Sequence, residues 1–326
     1  MPCRLIIWIC FLSILPGCSP SFLVTPVSSS QTLREVTVDE GAGGGFLTAG
    51  NKIVIIEVEG MLLNARTGGF LQAQENDVSL FAQQLQKAEK DPAVRAIVLR
   101  INSPGGTVSA ADLMYDEVLR FKARTKKVVV ASAQDIAASG AYYVACAADK
   151  IVVQPTSVIG SIGVIFNTFD ISGTLEKIGA RTNVIKSGPL KDMASPFKPM
   201  GDDERVVMQA MVNEFYARFK SVVQSNRHLD DATLAAVSDG RVFTGSRAVE
   251  LKLADQAGLL PDAIKLAREL SQSPSAKVIL YKRPYGYSGS IYAHADDQPP
   301  KANVTELNLV PPRAFLPTGF YYLWNP

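Results

Sequence analysis

Two periodicities alternate between Lys52 and Val130, and that alternation most constrains what this chain can fold into. Residues 52–59, KIVIIEVE, are a short apolar run of strand length. The stretch 77–90 carries Leu80, Phe81, Leu85 and Ala88 at the spacing of one helix face, and Asp91-Pro92 stops it. Residues 94–101 form a second strand-like run, 108–123 a second helix and 128–130 a third strand. Strand, helix, strand, helix, strand predicts parallel strands joined by right-handed crossovers, an α/β fold.

Two of these strands run into turns with chemically useful residues. The second ends in Asn102-Ser-Pro-Gly105-Gly106-Thr. Ligands bind at the carboxyl ends of strands in such sheets, and glycines let exposed backbone N–H groups face them. A plain Pro-Gly turn has the same sequence. The third leads into Asp135-Ile-Ala-Ala-Ser139-Gly-Ala-Tyr-Tyr143, and an Ala-rich helix over 141–148 follows. Ser139 therefore stands where strand becomes helix. The first N–H groups of a helix have no partner inside it. A serine there is placed beside donors able to stabilise an oxyanion, although an ordinary N-cap serine sits at the same place.

Beyond this region 150–153 predicts a strand, and 157–165 a strand kinked at Gly160 and Gly163. A short helix over 168–178, a strand over 182–186 and a loop over 187–196 follow. Residues 202–227 predict the longest helix, with an apolar stripe at Val207, Met211, Phe215, Phe219 and Val222. Helices over 231–237, 246–251 and 261–270 and a strand over 277–281 complete the body. The Ser139 region has no second copy, so 51–282 predicts a single catalytic domain.

The two ends read differently. Residues 1–18 combine a short cationic start with an apolar run over 5–15. Eleven residues of helix reach only about 16 Å, too little for a bilayer core of roughly 30 Å, so this is a signal peptide. It closes Leu15-Pro16-Gly17-Cys18, similar to a bacterial lipobox, which implies lipidation of Cys18. Pro16 departs from the usual residue there. Residues 19–50, rich in Ser, Thr and Gly, predict a flexible tether. Residues 283–326 form a Pro- and Tyr-rich extension whose apolar tip, 315–324, predicts packing on the body or on a neighbouring subunit. A net charge of +2, with no long basic run and no zinc-type Cys/His spacing, argues against nucleic-acid binding and a zinc site. Cys146, in Val-Ala-Cys-Ala-Ala, predicts a buried small hydrophobe.

As a nucleophile Ser139 would need a base. Of the two histidines, His228 lies in a polar turn and His294 in the Pro-rich extension. Lys191 is the next candidate. It sits among small and apolar residues, Gly188-Pro-Leu-Lys-Asp-Met-Ala, and it needs a desolvated site to act as an uncharged amine. A surface lysine paired with Asp192 is the simpler alternative.

Five runs together resemble the A-type signal peptide peptidases of bacteria, in their short, single-domain form, and appear in that family's order. They are Ser103-Pro-Gly-Gly106, the Ser139 run, Gly160-Ser161-Ile-Gly-Val164, Ser187-Gly-Pro-Leu-Lys191-Asp192 and Gly240-Arg-Val-Phe-Thr-Gly245. The match covers 52–281. It implies a Clp-peptidase/crotonase-like fold of stacked βαβ repeats and a Ser–Lys dyad, with Ser139 as nucleophile and Lys191 as general base. It also implies an oxyanion hole from the N–H groups of Gly106 and Gly140, and Ser161 as the residue that orients the lysine. No metal or organic cofactor is required. The implied partners are remnant signal peptides and other unfolded apolar peptides, a homo-oligomeric ring bringing Ser and Lys together across a subunit boundary, and the membrane of a bacterial envelope on its extracytoplasmic side. Ala141 and Lys252 replace glycines usual in the family. A crotonase-like acyl-CoA enzyme and a non-catalytic peptide-binding lipoprotein are the alternatives.

Overall fold

The structure, a computed structural model, describes residues 33–41, 50–65, 76–282 and 318–324. Cys18 with the rest of the signal peptide, most of the expected tether, His294 and most of the C-terminal extension lie outside the described residues.

Strands β1 (Arg34–Asp39) and β2 (Lys52–Leu62) precede helix α1 (Asp77–Lys90), β3 (Val94–Thr107), α2 (Val108–Thr125) and β4 (Val128–Ala138). Next come α3 (Gly140–Ala145), β5 (Lys150–Val153), β6 (Val158–Gly160), β7 (Ile165–Asn167) and α4 (Ser172–Lys177). The long α5 (Asp202–Arg227), α6 (Asp231–Val237), β8 (Val242–Thr244), α7 (Gly245–Glu250), β9 (Gln256–Ala257), α8 (Leu260–Leu270), β10 (Lys277–Lys282) and β11 (Gly319–Leu323) follow.

The main path of the sheet runs β1-β10-β2-β3-β4-β5-β9, parallel throughout except for the antiparallel edge strand β1. Period-two alternation divides each central strand between two apolar layers. Ile53 and Ile55 of β2, Ala96 and Val98 of β3 and Val130 of β4 face α8, whose Leu260, Ala263, Ile264 and Ala267 cover them. Val54, Ile56, Ile97, Leu99, Ile101, Val129 and Ala131 face the other way, onto α1, α2 and α3. Side chains buried this fully each contribute about 1.5–3 kcal/mol relative to exposure, so strands covered on both faces hold the frame.

β3 and β4 carry the site because each runs past its expected end. β3 continues through Ser-Pro-Gly-Gly to Thr107, and β4 continues to Ala138, one residue before Ser139. The upper half of β4 pairs with β6, which pairs in turn with the antiparallel β8.

Four sequence expectations change. The tether reading fails for Arg34–Asp39, which forms β1 against β10; Val36 and Val38 were too few to signal a strand amid polar neighbours. The kinked strand over 157–165 is two strands, β6 and β7, broken at 161–164. No strand forms at 182–186, because no strand edge among the described residues pairs with it, and Val184 and Ile185 stand in solvent. The stripe on α5 is buried only near its C-terminal half, at Phe219 and Val223, with Phe215 and Val222 packed beside them. Val207 and Met211 stay partly exposed.

Candidate active site

Ser139 sits on a sharp elbow between β4 and α3, with φ 52° and ψ −117°. A non-glycine residue in that region costs of order 1–3 kcal/mol and persists only where its surroundings hold it. Here they do. Ser139 N–H donates to the Gly160 carbonyl at 2.7 Å, and the Ser139 carbonyl accepts from Tyr143 N–H at 2.9 Å. The residue is almost fully buried, and its hydroxyl has no hydrogen-bond partner among the described residues. It makes no N-cap bond, so the simple capping role is not what the geometry uses.

Behind the elbow, α3 is locked from both sides. Tyr142 donates its hydroxyl to the Leu253 carbonyl at 2.8 Å, and Tyr143 donates to Asp112 at 2.7 Å, where Arg218 also binds. Burial, followed by the Asp112 bond, keeps the Tyr143 phenol protonated far above its usual range. Cys146 is a free, buried thiol as expected, and burial pushes it up to about 12, which makes it an inert packing group.

Gly105 and Gly106 lie directly against this elbow. Gly105 has φ 102°, and a methyl group built on it would stand 2.7 Å from the Gly140 nitrogen. One built on Gly106 would stand 2.0 Å from the Leu62 carbonyl oxygen, so only glycine lets β3 lie this close to β2. A methyl on Gly140 would be 3.3 Å from the Gly106 nitrogen. The two expected oxyanion donors thus converge beside Ser139. Ser103, assigned no separate role from the sequence, shapes the turn: its hydroxyl donates to the Gly60 carbonyl at 2.6 Å and accepts from Gly105 N–H at 3.1 Å. A serine just before Pro-Gly was the available signal.

Ser161 follows Gly160, the residue that holds the Ser139 N–H. It too has positive φ, 51°, is buried, and donates its N–H to the Arg241 carbonyl at 2.8 Å. Gly240 and Arg241 of the fifth motif are thereby brought to the same place.

Residues 120–273 match the family model for Peptidase family S49, and residues 51–161 match the Clp protease model. A "Putative signal peptide peptidase SppA" of Enterococcus faecium is 34% identical over 78% of this chain and 72% of its own length. The chain belongs to peptidase family S49. Protease 4 of Salmonella typhi is 35% identical over 59% of this chain and 31% of that longer protein. The chloroplastic serine protease SPPA of Arabidopsis thaliana is 32% identical over 66% and 33% respectively. Membership in S49 makes the chain a serine endopeptidase on a Clp-protease-like α/β fold, and it sets aside the acyl-CoA and non-catalytic readings.

Lys191 is not brought to Ser139 by a bond within this S49 chain. It is exposed, its N–H donates to the Gly188 carbonyl at 3.2 Å, and its amine has no partner among the described residues. Nor does it pair with Asp192. That carboxylate binds Lys186 at 2.7 Å and Lys198 at 2.9 Å, and the two lysines hold it down to about 2. His228 serves as the left-handed C-cap of α5, with φ 52°, and is exposed.

The sequence reading also missed what covers the glycines. β11 pairs antiparallel with β3, Tyr321 opposite Thr107, Tyr322 opposite Gly106 and Leu323 opposite Gly105, and on its other side with β7. The expected packing of the apolar tip therefore falls on the site itself.

Proposed function

We propose that this S49 peptidase cleaves unfolded apolar peptides, including spent signal peptides, with Ser139 as nucleophile and Lys191 of a neighbouring copy as general base. The observation that carries this is the Ser139 hydroxyl: buried, unpaired, held on a strained elbow, and flanked by the N–H groups of Gly106 and Gly140. A hydroxyl left without a partner in a buried site costs stability, so its retention points to a partner that arrives with assembly or substrate.

The reaction follows from these positions. Lys191 removes the Ser139 proton as the oxygen attacks a peptide carbonyl. The carbonyl oxygen gains charge between Gly106 and Gly140, where two fixed N–H groups stabilise it. The C–N bond breaks, Lys191 gives the proton to the leaving amine, and water then hydrolyses the acyl-enzyme. Ser161, beside the Ser139 elbow, orients the lysine.

A base supplied by a neighbour is supported by the loop that bears Lys191. Ile178 and Ile185 are 72% and 103% exposed, and Phe169, Ile171, Val184, Leu190 and Phe197 are partly exposed beside them in the sequence. Apolar side chains gathered in this way mark a surface that another protein covers. A second copy in a closed ring fits, since it would bring one copy's lysine to the next copy's serine. Lipid on Cys18 would tether the assembly to the extracytoplasmic face of a bacterial membrane, where apolar peptides are released.

The test separates serine from lysine. Ser139→Ala and Lys191→Ala should each abolish peptide cleavage. Mixing the two inactive variants, unfolded and refolded together, should restore about one site in four under random assembly. Full activity in either variant alone would refute the dyad, and a silent mixture would place both residues in one subunit.

A further inference from the structure

The site is already occupied by a strand of the same chain, and the way it is occupied resembles a bound peptide. β11 lies between β3 and β7 and pairs antiparallel with both, the geometry by which an extended peptide joins a sheet. Its register is informative. Trp324 N–H donates to the Pro104 carbonyl at 2.8 Å. Antiparallel hydrogen-bonded pairs recur every second residue, so the Tyr322–Gly106 pair is in the same phase and Gly106 N–H faces the Tyr322 carbonyl. The same oxygen would lie 3.0 Å from a methyl on Gly140 and 2.1 Å from one on Gly105. A peptide carbonyl therefore rests over the two expected oxyanion donors, beside the unpaired Ser139 hydroxyl.

The side chain of that residue fills a matching cage. The Tyr322 ring is fully buried, stacked on Tyr143 at 5.3 Å and packed on Phe219 at 4.7 Å, and its hydroxyl donates to the Phe215 carbonyl at 2.7 Å. Two residues upstream and on the same face, Phe320 sits against Phe166 at 4.7 Å and Phe215 at 5.2 Å. Downstream, Leu323 and Trp324 border a cavity of about 580 Å³ reached by Ser161, Gly163, Asn213 and Tyr216. That cavity gives room for the residues beyond a cleaved bond.

We propose that β11 is an internal substrate mimic, and that the cage around Tyr322 is the subsite selecting an aromatic residue immediately before the cleaved bond. The inference rests on the reading of Ser139 as the nucleophile. It gives the substrate class a pattern, aromatic at that residue and two residues before it. It also makes the strand a competitor that must leave before a substrate peptide can enter.

The experiment compares the full chain, full-length Tyr322→Ala and a chain ending at 317. Each is tested for folding by circular dichroism and for the rate of Ser139 labelling by a fluorophosphonate. A strand seated nine-tenths of the time lowers apparent access about tenfold, so both variants should label about tenfold faster or more. A fluorescent hexapeptide of sequence 319–324, added to the truncated chain, should bind saturably and slow labelling again. Its version with Ala in place of the tyrosine at 322 should need at least about ten times the concentration. Folded variants that label at the full-chain rate would overturn the proposal, as would an alanine peptide that competes equally. A truncated chain that no longer folds would also overturn it, because β11 would then be a permanent part of the sheet. If no form labels while the hexapeptide still binds through its tyrosine, the mimic stands and the nucleophile reading falls.

Discussion

Ser139 and Lys191 lie in surroundings that differ in almost every physical respect. The serine is buried, its backbone is bonded on both sides, and the helix behind it is pinned by Tyr142 and Tyr143. The lysine stands on an exposed loop made of turns, tied back to the segment before α4 by Thr168 donating to the Ala194 carbonyl and Ile171 N–H to the Pro196 carbonyl. Around the serine the apolar side chains are buried; near the lysine several are exposed, Ile178 and Ile185 above all. The contrast shows which half of the proposed dyad the chain completes alone. A strained elbow needs rigid packing, and parallel strands with helices on both faces supply it within one chain. A base that must lose its charge needs to leave water, and a loop this exposed can do so only when something else covers it.

That comparison can be broken on either side. The largest effect should come from Gly106→Ala on the elbow side. The new methyl would strike the Leu62 carbonyl and move the N–H that faces Tyr322. Turnover should fall about 10²–10³-fold, the loss typical of one oxyanion donor. A near-normal kcat in a folded variant would remove Gly106 from the site.

Next is Asp255, which anchors the ground beneath α3. It accepts from Arg227 at 2.9 Å, from Ile151 N–H at 2.8 Å and from Lys150 at 3.2 Å. Burial pushes its carboxyl up, but these bonds outweigh burial and hold it below the ordinary range. Asp255→Asn should cost about 1.5–3 kcal/mol at pH 7, since Arg227 loses its charged partner. The folded value lies below the unfolded one, so this stabilisation is complete above about pH 4 and is lost as pH falls through the folded value. Denaturant melts at pH 7, 5 and 3 should show the gap between wild type and variant narrowing only at the acid end. A gap unchanged across that series would contradict the charged pair.

On the loop side, Ile185→Asp should leave the chain's own stability within about 0.5 kcal/mol, because the side chain touches nothing it depends on. Assembly, measured by sedimentation, should weaken, and cleavage should fall about tenfold or more with it. A variant with unaltered assembly would mean that the apolar loop is not the covered surface. The smallest effect belongs to Lys252, which holds φ 60° just after α7. Lys252→Gly should stabilise by about 0.5–1 kcal/mol, the left-handed penalty of roughly 1–2 kcal/mol less the extra chain entropy glycine loses on folding, with activity unchanged. A destabilised variant would show that the Lys252 side chain contributes packing that the backbone does not reveal.

Much of the elbow side was legible in the sequence, and its legibility has a local cause. Apolar runs, helix spacing and Gly-Gly turns are set by neighbours within a few residues, so β2 to α3 fell close to where pattern placed them. Boundaries moved where tertiary pairing extended a strand, as when β3 carried on through Ser-Pro-Gly-Gly because β2 and β11 both bond to it. The loop side misled for the same reason in reverse. Thr-Asn-Val-Ile-Lys has strand-forming residues, but a strand exists only where another edge accepts its hydrogen bonds.

The sequence alone therefore determined the α/β frame, the serine at a strand-to-helix turn, the two glycines beside it and the buried thiol, because each depends on short-range pattern or on burial of an obvious apolar residue. Only the tertiary structure decided that a polar stretch near the N-terminus closes the sheet edge, that Lys191 stays in solvent within one chain, and that Tyr322 lies over the glycines. Those three outcomes join residues far apart in the chain, and nothing local to either partner records that they meet.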